Sequence, residues 1–166
     1  MTPAPDVRPS ISLRHDARTI SEAAAKEAFG LDDNWKPRRY VENQYEDRGE
    51  VVVDHATGLM WQKSDSPDGM VWSKVQSYVD QLNREQYSGF EDWRRPTIEE
   101  LASLLEPREN AYGWYIDPVF NEHQWWYWSS DKPSSEATWS VAFSAGRVTW
   151  GYGSGINSVR AVRSWK

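Results

Sequence analysis

The chain has 166 residues, enough for one domain that buries roughly 70% of its extended surface. Its net charge is -6, and no basic run occurs beyond KPRR at 36 to 39, which argues against nucleic acid or an anionic membrane as partner. It has no cysteine, which excludes disulfides, thiolate metal sites and cysteine nucleophiles.

The opening MTPAPDVRPS, with three prolines, reads as the start of a flexible N-terminal arm over residues 1 to 18. It lacks a basic region followed by an apolar one, and no run of about 18 apolar residues occurs anywhere in the chain. The expectation is therefore a cytoplasmic chain without a membrane span, with export by a specialised route as the alternative. TISEAAAKEAFG predicts a short helix with Thr19 and Glu22 as a capping box and Gly30 at the stop position. Residues 31 to 49 read as an irregular lead-in.

In EVVVDHATGLMWQK, two apolar bursts flank Thr57-Gly58 and predict two strands joined by a turn. SKVQSYVDQLN predicts a helix capped by Ser73 and Gln76, with Val75, Val79 and Leu82 on one stripe. A second main helix begins at Thr97 with Glu100 as its capping partner, buries Ile98, Leu101, Leu104 and Leu105, and closes at Pro107. Alternating runs over 125–130, 138–144, 147–152 and 158–164 predict strands. Strands, then helices, then a meander point to an α+β fold.

The segments VVVDHATGLMWQ, YSGFEDWRRPTIEELASLL, YIDPVF, YWSS and SVRAVRS, in this order, resemble the bacterial Lcl C-terminal domain (DUF1566) family, named after a Legionella collagen-like adhesin. The resemblance covers roughly residues 50 to 164, so 50–166 is taken as that domain. It implies a C-type-lectin-like fold, two helices flanking a twisted antiparallel sheet, related to formylglycine-generating-enzyme-like domains through WRRPTIEEL. It further implies ligand binding by the strands and loops of the C-terminal half, as in adhesin and lectin domains and the variable receptors of diversity-generating retroelements. The enzyme branch uses cysteines, which this chain lacks, and the collagen-like stalk is also missing.

No catalytic constellation is visible. His15, His55 and His123 are far apart, and none has metal-ligand spacing. The carboxylate pair Glu99 and Glu100 is accounted for by the helix cap, and Asp65 and Asp68 by a solvated turn. Calcium remains an option through Asp65, Asp68 and Asp131; no other cofactor is expected. Trp93 reads as core, Arg94 or Arg95 as reaching a carboxylate or strand-end carbonyls, and Arg160 and Arg163 as architectural.

Strand parity then divides the tryptophans. Trp128, Trp139 and Phe143 read as core, which turns Trp125 and Tyr127 outward. Trp150, Tyr152 and Asn157, among glycines and serines, have the composition of a recognition surface. The expected ligand set is Trp125, Tyr127, Trp150, Tyr152 and Asn157, for a glycan or a protein surface without catalysis; the oligomeric state is left open. That the rings merely cover a second sheet face stays open for each residue taken singly. A variable receptor of a retroelement, or a divergent enzyme or accessory domain, are the alternatives.

Overall fold

The computed structural model describes residues 11–121 and 126–165. It shows a mixed α+β architecture with few helices, two antiparallel sheets and a C-terminal half made mostly of strands.

Helix α1, Glu22–Ala28, starts from Ser21, whose side chain accepts from the Ala24 N–H, and not from Thr19 as expected. Thr19 is engaged instead in a parallel bridge with Lys132. The helix stops where Gly30 takes φ 67°, a conformation that costs glycine little. The lead-in contains a strand the sequence did not announce, β1 (Tyr45–Asp47), which pairs with β2 (Val51–Asp54). Gly58, at φ 69°, turns β2 into β3 (Leu59–Gln62).

With β7 (Val162–Ser164), these strands form a sheet of order β1-β2-β3-β7. All four residues of β2 and all four of β3 are buried, so both faces of this sheet are covered. Parity distributes them: Val52, Leu59 and Trp61 join the main core, whereas Val51, Val53 and Met60 join a second core with Val79, Leu82 and Trp93.

Helix α2, Val75–Arg84, buries the expected Val75, Val79 and Leu82. The expected Ser73 cap is not made. A single 3-10 turn, Trp72–Lys74, precedes the helix, and Gln76 donates to Asp80 at 2.9 Å instead. The Trp72 N–H is already committed to the Gly153 carbonyl, which fixes where the chain enters.

Helix α3, Ile98–Ala102, has both halves of the Thr97–Glu100 capping box. It is shorter than predicted because Ser103 Oγ donates to the Glu100 carbonyl at 2.6 Å at its end. Leu104 and Leu105 leave the helix but remain buried.

The second sheet, β4 (Trp126–Trp128), β5 (Ala137–Ala142) and β6 (Arg147–Tyr152), pairs Trp139 with Trp150. On one face Trp139 meets Phe29 and Trp35 edge-on or tilted, at 5.4 and 5.7 Å. On the other, Trp128 packs with Val75 and Val159. This sheet is thus a middle layer.

Candidate functional site

The charged side chains of the interior are committed to the frame. Asp131, fully buried, accepts from both Arg14 terminal nitrogens at 2.7 Å and from the Arg18 and Ile98 backbone N–H groups at 2.8 Å. Glu100 holds Arg94 through two bonds of 2.7 and 2.6 Å. Arg163 pairs with Asp92, whose carboxyl it holds below its ordinary pKa. Arg160, also fully buried, donates to the carbonyls of Gln62, Lys63 and Asn121. Among the described residues, no three His, Cys, Asp or Glu side chains converge as a metal site. His15 lies near Asp16, His55 contacts Glu46, and His123 is outside the described residues.

One depression, of about 430 Å³, lies at the end of β6 among the described residues. Trp126, Gly151, Tyr152, Ile156 and Asn157 line it, with Ser154 and Gly155. Tyr152 and Ile156 are each 61% exposed, two of the large apolar side chains most open to solvent. The Trp126 ring lies over Gly151, where an added Cβ would stand 3.7 Å from it. Asn157 and Ser154 add polar side chains to its wall, and these have no hydrogen-bond partner among the described residues.

The backbone under this surface is held at many points. Met70 and Asn157 exchange N–H···O bonds of 2.9 and 3.2 Å, Gly155 N–H reaches the Tyr152 carbonyl at 3.0 Å, and Ser158 N–H reaches the Trp126 carbonyl at 3.0 Å. Ile156 is seated against Gly69, where a Cβ would stand 2.6 Å from its Cγ2. The backbone that carries Trp126, Tyr152 and Asn157 is therefore held in place before binding, which lowers the ordering cost of the main chain.

Of the residues expected to bind, the structure brings together Tyr152 and Asn157. Trp150 is half-buried, packed against the main core and edge-on to Tyr152 at 5.8 Å, a support behind the surface. Tyr127 is a correction: it is fully buried, donates to Asp65 at 2.6 Å and stacks edge-on against Phe143 at 5.4 Å. The parity was right, but both faces of β4 are covered, so the face opposite Trp128 is not outward. The uninterrupted apolar run of this segment is the signal for two-sided burial. Trp125 lies outside the described residues. Trp126 and Ile156 escaped the sequence reading, the first because parity grouped it with Trp128, the second because a single isoleucine in a polar loop carries no periodicity.

Residues 50–163 match the family model of the Lcl C-terminal domain. No curated protein matches the chain.

Proposed function

The chain belongs to the Lcl C-terminal domain family, and we propose on that basis that it is a non-enzymatic binding module that recognises a glycan or a protein surface through the depression at the end of β6. The observation that carries this reading is the coincidence of Tyr152 and Ile156, large and exposed, with Trp126, Ser154 and Asn157 around one opening. Aromatic faces supply contact area at low entropic cost, and neighbouring amides and hydroxyls supply orientation. The reading assigns no catalytic role because the buried carboxylates Asp65, Asp131 and Glu100 are taken up by Tyr127, Arg14 and Arg94.

The test is a glycan array and a pull-down in parallel, on the wild-type chain and on a Tyr152→Ala/Ile156→Ser double variant. Both side chains are exposed, so the variant should melt within a few degrees of wild type, surface changes being worth about 0.5 kcal/mol each or less. Binding should fall at least roughly tenfold, the loss of one contact hot spot. A signal competed by free sugar identifies a saccharide, and a partner retained through the washes identifies a protein. Undiminished binding by the folded double variant would overturn the assignment.

A further inference from the structure

A second depression, of about 340 Å³, adjoins the first across Ser154, which lines both. Trp72, Ser73, Lys132, Glu136 and Thr138 contribute to its wall. Two cations converge on the Trp72 indole: Lys132 Nζ at 3.7 Å and Arg95 Cζ at 5.1 Å from the ring centroid. Both are half-buried.

Elsewhere this acidic protein neutralises its partly buried arginines. Arg14 has Asp131, Arg94 has Glu100 and Arg163 has Asp92. Arg95 and Lys132 have no carboxylate within ion-pair distance among the described residues. Asp80 acts on Arg95 only through space, and the exposed Glu136 does not reach Lys132. Burial holds the Arg95 guanidinium below its ordinary pKa, the mark of a charge without its counter-ion. A ring face offsets part of that cost, but it accepts none of the N–H donors. Thr138, only 1% exposed, lines the same depression, and no hydrogen bond to a described residue engages its side chain.

We propose that the depression bounded by Trp72, Lys132 and Thr138, with Arg95 also against the Trp72 ring though not in the wall, is a binding site for an oxyanion group: a carboxylate, phosphate or sulfate. The anion supplies the charge that Lys132 and Arg95 lack, with charge-assisted hydrogen bonds from the ammonium and neutral ones from the hydroxyls of Thr138 and Ser73. The site stands independently of the aromatic depression, although a ligand spanning Ser154 would touch both.

The Trp72 indole N–H, which donates to the Ser129 carbonyl at 3.2 Å, is the reporter. The ¹⁵N-labelled full chain is titrated with sodium phosphate, sulfate and acetate at constant ionic strength, with sodium chloride as the control. The expected result is a saturable shift of that indole signal with at least one oxyanion and none with chloride; the order among the three identifies the preferred group. Lys132→Gln and Arg95→Gln should each weaken binding roughly three- to fivefold, the scale of one partly exposed ion pair. Lys132→Arg should retain it. Ser73→Asp, at an exposed position that leaves folding intact, should weaken binding by placing a tethered carboxylate at the rim. Shifts that never saturate or that chloride reproduces, or an affinity untouched by Ser73→Asp and both neutralising variants, would overturn the proposal.

Discussion

Tyr127 and Tyr45 show what one hydroxyl can decide. Tyr127 lies fully buried because Asp65 accepts its proton at 2.6 Å, so the polar end of the ring is satisfied inside the core. Tyr45 packs edge-on against Phe120 at 5.2 Å, yet its hydroxyl is buried without a partner among the described residues. An unpaired buried hydroxyl costs roughly 1–3 kcal/mol, whereas removing it leaves the ring contacts in place. Tyr45→Phe is therefore expected to leave stability unchanged or raise it by about 1 kcal/mol in urea unfolding; a loss larger than that would show that the hydroxyl is bonded. The pH dependence follows from the same burial, which raises the Tyr45 pKa well above its ordinary value of 10.0. Above that ordinary value the unfolded chain loses the proton while the folded one keeps it, so this tyrosine's contribution is present below pH 10 and declines as pH rises beyond it. Tyr45→Phe should flatten the alkaline limb of the stability curve.

Among elements, the loop from Gly153 to Asn157 owes its shape to segments far away in sequence. Met70 clamps it at Asn157, Trp72 at Gly153, and Gly69 leaves the space in which Ile156 sits. Gly69→Ala would put a methyl 2.6 Å from Ile156 Cγ2, the mobile end of a side chain, so the isoleucine should swing away with little backbone cost. The expected outcome is a melting temperature within a few degrees of wild type and a several-fold change in ligand affinity; an unchanged affinity would show that Ile156 is not a contact. Such long-range dependences explain what the sequence did and did not reveal. Helices α2 and α3 were legible because Val75, Val79, Leu82 and Thr97–Glu100 are local patterns, and β2 and β3 because Gly58 divides two apolar bursts. The Ser73 cap failed because Trp72 is held by Gly153, some 80 residues on. Composition picked out Tyr152 and Asn157, which line one depression. Trp126 lines it too and Tyr127 is buried, neither of which parity reveals, because parity tells which residues share a face and not how many faces are covered.

At the scale of the whole molecule, residues 11–49 lie outside the stretch matched by the family model, yet they complete its interior. Trp139, fully buried on β5, packs against Phe29 and Trp35 and donates its indole N–H to the Ile20 carbonyl at 2.8 Å. Val148 N–H finds the Trp35 carbonyl at 2.9 Å, which covers part of the β6 edge. Residues 11–18, assigned to the arm by sequence, bring Ile11 N–H to the Ala56 carbonyl and Arg14 to Asp131. Breaking a buried pair by removing one partner costs about 3–5 kcal/mol, against a total stability of about 5–15 kcal/mol for a domain. Arg14→Ala should therefore lower the urea midpoint sharply, and Arg14→Ala/Asp131→Asn should recover part of that loss by removing the stranded charge. The fragment 50–163 loses the Arg14 pair, the Arg18 N–H and the Trp139 cover together, a loss that approaches the total stability of about 5–15 kcal/mol typical of a domain. It is expected to unfold without a cooperative transition at 25 °C, and adding a peptide of residues 11–49 should restore one. A fragment that melts cooperatively by itself would show that the lead-in is a covering and not a part of the core.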